Sequence, residues 1–279
     1  AGKVTGTPEQ INQYMGEAYF IRAMLYYSKL QDYGDFPIVL KELNVDNDLV
    51  EASKRQPRNL VARQILSDMD KAIDKLQVNF ANKVRINKNA ALAMKSRMAL
   101  YEATFEKYHR GTGRVPGDAN WPGKNKEWNK NFTINQDDEV NFFLDQAIDA
   151  AKKVCDAVPL STQNNHVMNP GTVGNFNGWN PYYDMFASPN LAKYPEILLW
   201  REFNTDINVA HLTSNKLRGG LSSGWTRGLV ESFLMKNGLP IYASGSGYHG
   251  DTTVDLTKTY RYERLQLFVF GESNDLDID

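Results

Sequence analysis

Apolar residues recur at alternating spacings of three and four between Pro8 and Gln31, where Ile11, Tyr14, Ala18, Ile21, Leu25 and the small Ser28 mark one helical face. Phe20, Met24 and Tyr27 form a second apolar face. A helix that is apolar on two sides is usually sandwiched between neighbours, so this one is expected to sit centrally in an array. Gly34 ends it, and Pro37 prevents its resumption. A second helix is predicted over Pro57 to Leu76, with Ala62, Leu66, Met69, Ile73 and Leu76 on one side and Asp68, Asp70, Lys71, Asp74 and Lys75 left to solvent. A third, over Asn87 to Tyr108, presents Ala91, Met94, Met98, Tyr101 and Phe105. A fourth, over Glu139 to Ala157, presents Val140, Leu144, Ala147, Ala151 and Val154, and the small alanines permit close helix packing.

Part of this pattern is used twice. Ala18, Arg22, Leu25, Tyr26 and Tyr33 are answered, at one constant offset, by Ala93, Arg97, Leu100, Tyr101 and Tyr108. The same offset carries Asp70-Lys71-Ala72-Ile73-Asp74 onto Asp145-Gln146-Ala147-Ile148-Asp149. Two successive helices are therefore duplicated together, as in tetratricopeptide-like hairpins with long loops. The expected fold class is mostly α: a tetratricopeptide-like helical-repeat scaffold followed by a loop-rich, irregular second region. Its parts are residues 1–158, with a long inserted loop at 109–138, and residues 159–279, read as incomplete. That loop, rich in glycine, asparagine and charge and holding Trp121 and Trp128, is too long for a mere connector. After Pro159 the helical period fades among glycines and prolines, leaving a strand predicted at Ile197 to Phe203 and a short helix from Thr226 through Met235.

A chain of 279 residues that is 42% hydrophobic can bury a sizeable core. Its formal charge of −1, with no long run of like charges, gives no reason to expect nucleic acid as a partner. Cys155 is the only cysteine, so intrachain disulfides and cysteine-rich metal sites are excluded. The apolar stretch AYFIRAMLYY is too short for a membrane span and contains Arg22.

The segment Gly16-Glu17-Ala18-Tyr19-Phe20-Ile21-Arg22-Ala23, then Tyr26 and Tyr33-Gly34-Asp35-Phe36-Pro37, resembles the SusD/RagB family of outer-membrane nutrient-binding lipoproteins. Arg85 followed by Asn89 to Arg97 is similar to the family's alanine-rich helix. Tyr183-Asp184-Met185-Phe186 ahead of Glu196-Ile197-Leu198, and Leu229 to Phe233 with Asn237-Gly238, agree in the expected order. Arg261-Tyr262-Glu263-Arg264-Leu265 departs from a family segment by lacking its aspartate and proline. Family members are longer and carry a lipid-bearing cysteine, so this chain is expected to be a fragment without the anchor. The resemblance implies a non-enzymatic cell-surface protein that captures glycans or oligosaccharides and delivers them to a SusC-like TonB-dependent transporter in the outer membrane. Capture of peptide nutrients by a similar complex, or a helical-repeat scaffold for protein partners, are the alternatives.

Residues with binding chemistry lie mostly in loops. Trp121, Trp128, Trp179, Tyr182, Trp225 and Tyr248 offer flat apolar faces suited to the C–H face of a sugar, and Asn180, Arg227 and Asp251 can bond hydroxyls. A tryptophan beside glycine and proline also serves simply as a loop anchor. Arg22 and Arg97, within apolar helical segments, read as structural. No catalytic residue, metal site or cofactor is predicted. The four histidines are scattered, the glycines near Gly111 to Gly117 lack the Gly-Lys-Ser/Thr of a phosphate loop, and Gly245-Ser246-Gly247 is no nucleophile elbow. Asp46 and Asp48 lack the glycine and distal glutamate of a calcium loop and read as solvated turn charges.

Overall fold

The computed structural model describes residues 4–44, 48–161, 184–186, 188–213, 224–262, 264–265, 269 and 271–272. The chain forms two compact units, one comprising Ala1–Pro159 with Ile197–Trp200, the other Leu160–Glu196 with Arg201–Asp279.

The first unit is built on four long helices: α1 (Pro8–Tyr33), then, after the short α2 (Asp48–Ala52), α3 (Arg58–Lys75), α4 (Lys88–His109) and α5 (Gln136–Ala157). Their ends follow local chemistry. Thr7 accepts from the Gln10 N–H while the Gln10 side chain accepts from the Thr7 N–H, a capping box with Pro8 in the first turn. Gly34, at φ 68°, takes the positive-φ cap that stops α1, and its N–H donates to the Leu30 carbonyl. Asn87 caps α4 through the Ala90 N–H, and Asn135 caps α5.

The helices pack in chain order: α1 on α3, α3 on α4, α4 on α5. One core runs through them, with Phe20, Tyr27 and Leu30 of α1, Val61, Ile65 and Met69 of α3, Met98 of α4 and Phe143 of α5. Ala99 and Ala103 are fully buried, which lets α4 and α5 approach closely. The expected central place of α1 is not what the structure shows. Only the Phe20–Ala23–Tyr27–Leu30 side is buried, whereas Tyr14, Ile21 (51% exposed) and Leu25 (62% exposed) face outward. α1 packs mainly on α3, with Tyr27 also meeting Tyr101 of α4 edge-on at 5.5 Å, so the face of Tyr14, Ile21 and Leu25 is exposed.

The array also holds an interior of charge. Arg58 of α3, 3% exposed, forks onto Glu102 of α4 with bonds of 2.8 and 2.7 Å, and its guanidinium lies 3.4 Å from the Phe105 ring centre. Arg63 forks onto Glu139 of α5, which also accepts from Asn59. Glu106, fully buried one turn beyond Glu102, meets no hydrogen-bond donor among the described residues. Two guanidiniums thus serve three carboxyls, and burial first, then the neighbouring Glu102, pushes the Glu106 carboxyl up to about 9. Glu106 is therefore protonated at neutral pH.

The predicted strand at Ile197 to Phe203 is not formed. Those residues are irregular, because their backbone partners are side chains and a turn: Leu198 accepts from Asn87, and Trp200 donates to the carbonyls of Lys83 and Asn82. In the second unit Thr226 caps α6 (Arg227–Ser232), which stops short of the expected Met235. Its chain turns away there because Met235 pairs in an isolated antiparallel bridge with Arg261. The fully buried Arg261 donates to the carbonyls of Val230 and Phe233, satisfying backbone acceptors at the end of α6. A last short helix, α7 (Val254–Lys258), is capped by Thr253. Among the described residues no helix is long and apolar enough to cross a membrane.

Candidate functional site

The long loop between α4 and α5 is a built structure. Asp118, buried at its base, accepts from the N–H groups of Gly111 (2.8 Å), Gly113 (2.9 Å) and Val115 (3.3 Å) and from the Gln136 side chain. Burial opposes its charge, but these donors outweigh it and hold the Asp118 carboxyl below its ordinary value. Beyond it, two single turns of 3-10 helix, Pro122–Asn125 and Glu127–Asn129, carry the two tryptophans toward the C-terminal end of α1. Trp121 is 4% exposed, packs on Phe132, and donates 2.8 Å to Asp35 of the Tyr33-Gly34-Asp35 segment. Trp128 donates 2.9 Å to the Arg55 carbonyl but remains 42% exposed. Gly123 touches the Trp121 ring so closely that a Cβ there would stand 2.1 Å from it.

Between this loop, the end of α1 and the segment before α3 lies a cleft of 790 Å³. That volume is within the range of small-molecule pockets. Trp128 and the half-exposed Tyr33 supply aromatic surface, Trp121 contributes from within the loop core, and Arg55, Arg114 and Lys126 supply positive charge. Asp35, also at the cleft, accepts from Trp121 and from the Arg58 N–H, and its burial pushes its carboxyl up. A planar ring beside several hydrogen-bond donors is an arrangement that can hold a sugar ring by stacking and orient its hydroxyls.

The sequence-nominated residues thus fall into separate groups. Trp121 and Trp128 meet in the cleft of the first unit. Trp225, Arg227, Tyr248 and Asp251 gather around α6 in the second: Trp225 stacks on Phe233 at 5.8 Å, Arg227 pairs with Glu231 and, at 2.7 Å, with Asp251, and Tyr248 lies 5.6 Å from the Arg261 guanidinium. Trp179, Asn180 and Tyr182 lie outside the described residues. Reasoning from the sequence missed Tyr33, Arg55, Arg114 and Lys126. For Tyr33 the repeat suggested scaffold; for Arg114 and Lys126 their place in the same loop as the tryptophans was the available signal. No group of acidic, histidine or cysteine side chains able to hold a metal occurs among the described residues.

Residues 3–100 match the SusD-like family whose description reads starch-binding associating with outer membrane. The fold is similar to that of a SusD-like protein from Bacteroides fragilis NCTC 9343, with a TM-score of 0.56 and 19% identity, over 95% of this chain and 44% of that one. The chain therefore spans less than half the length of that relative. No curated protein matches it in sequence. Residues 3–100 are thus similar to the SusD-like family, and the described residues form a tetratricopeptide-type helical fold like that of the SusD-like structure.

Proposed function

We propose that this protein binds glycans or oligosaccharides without cleaving them, at the cell surface, and delivers them to a SusC-like TonB-dependent transporter of the outer membrane, the full-length protein being held there by a lipid anchor. The observation that carries the reading is the cleft, in which Trp128 presents its ring while its N–H is tied to a backbone carbonyl. A ring fixed in this way loses little freedom on stacking, so binding is favoured by preorganisation. The family match supports the same direction, since its description names starch binding and the outer membrane. Trp225, Arg227 and Tyr248, with Trp179, Asn180 and Tyr182, are proposed as a further ligand surface. Single contacts of this kind are weak, and a polymer gains retention by rebinding at high effective concentration.

The test is titration of a glycan and peptide panel with product analysis. Saturable sugar binding with no new reducing ends is expected, weakened about tenfold in Trp128→Ala. Release of shortened sugars by the pure protein would overturn the reading, and exclusive peptide binding would redirect it to peptide nutrients.

A further inference from the structure

Most arginines of the helical unit are already paired with a carboxylate of the same unit. Arg22 forks onto Asp68, Arg58 onto Glu102, Arg63 onto Glu139 and Arg85 onto Glu17, and Arg110 reaches Asp137. Among the described residues of this unit, Arg55, Arg97 and Arg114 have no ion-pair partner, and two of those three line the cleft. Lys126 joins them there, 5.9 Å from the Trp128 ring centre, and it too forms no ion pair among the described residues. Among the described residues the cleft has two acids. Asp35 has its oxygens engaged by Trp121 and the Arg58 N–H, leaving Asp32 at the end of α1 as the carboxylate without such bonds.

We infer that the cleft selects acidic sugars, those bearing a carboxylate or sulfate ester, over neutral ones. The inference rests on reading the cleft as a glycan site and adds the charge class of its ligand. A guanidinium presents two parallel N–H donors that match the paired oxygens of a carboxylate or sulfate, and the Trp128 face beside them accepts the apolar face of the ring that bears the acid. A polyanion lacking a sugar ring satisfies the cations and wastes the aromatic surface. A neutral sugar uses the ring and offers the cations only hydroxyl oxygens, which are weaker acceptors than the oxygens of a carboxylate or sulfate.

The experiment titrates the whole chain with size-matched oligosaccharides, one of galacturonate, one sulfated and one neutral galactan, and with oligoglutamate of equal charge. An acidic oligosaccharide is expected to bind about tenfold more tightly than the neutral one at low salt. The gap should narrow as salt rises, because the contacts are solvent-exposed. It should vanish in the Arg55→Gln/Arg114→Gln double variant, acidic binding falling further than neutral binding until the two are equal; both side chains are exposed, and a thermal melt checks that the fold is kept. The carboxylate and sulfate arms tell which acid is preferred. Equal binding of acidic and neutral sugars, or a gap that survives the double variant, overturns the inference and leaves the glycan reading intact. Oligoglutamate binding as tightly as galacturonate also overturns it. Absence of binding to every sugar brings down the glycan reading and this inference with it.

Discussion

Arg55 and Arg58 are near neighbours in the chain and are used in opposite ways. Arg58 enters α3 facing the array, loses its water, and is held by a forked bond to Glu102 and by the face of Phe105. Arg55, before the helix begins, stays exposed at the cleft without an ion pair among the described residues. The first charge is committed to the fold and the second is available to a ligand. The same contrast separates the two aromatic clusters, since Arg227 beside Trp225 is already matched by Glu231 and Asp251, whereas the cations around Trp128 form no ion pair among the described residues. An arginine's role here depends on whether a carboxylate is within reach, and much less on its immediate sequence.

Removing the buried partner should give the largest effect. Glu102→Ala leaves Arg58 charged and buried, and a loss of about 3–5 kcal/mol in denaturant unfolding is expected. The corresponding Arg55→Gln exchange at the cleft should leave the unfolding midpoint where it is, and equal losses from both would erase the distinction.

Glu106 gives the next effect, through pH. Its folded-state value of about 9 lies above the ordinary carboxyl value of 4.5, so the folded protein holds a proton that the unfolded chain releases. Stability from this group is complete below the lower value and declines as pH rises toward the upper one, by at most about 1.4 kcal/mol per pH unit. Glu106→Gln, which mimics the protonated group and can donate to Glu102, should flatten that decline in melts taken from pH 5 to 9. An unchanged slope would show that Glu106 is ionised in the fold.

A smaller loss is expected at the cleft wall. Gly123→Ala places a methyl against Trp121, and displacing that ring from Asp35 should cost about 1–3 kcal/mol and shift the tryptophan emission to the red. The helical circular dichroism signal should persist, because the helices do not depend on the loop. At the low end, Arg227→Gln should leave the melting temperature unchanged, since its pairs with Glu231 and Asp251 are solvent-exposed.

The sequence made the helices legible to within a few residues, because caps such as Thr7, Asn87 and Gly34 and the three-four spacing act between near neighbours. It also showed that a helical pair is used twice. What the repeat did not convey is that its polar partners differ. Arg22 and Arg97 occupy equivalent places, yet Arg22 forks onto Asp68 of α3, while the position equivalent to Asp68 in α5 holds Phe143 and Arg97 is exposed. The two apolar faces of α1 were visible as well, but which of them is covered depends on where α3 packs. Trp121 and Trp128 were nominated together from one loop; that Trp121 is an anchor and Trp128 a presented face followed from the bonds to Asp35 and Arg55, in segments far away in sequence.

The sequence by itself determined the helices, their duplication and the family pattern, because each is written in short-range spacing along one strand of chain. Only the tertiary structure decided which charges are neutralised, which apolar face is covered and where a cleft opens. Those outcomes depend on through-space neighbours: desolvation and pairing of a charge are set by what another segment brings within hydrogen-bond reach. Tyr33, Arg55, Arg114 and Lys126 come from three separate stretches, and they become one surface when the long loop docks on the end of α1.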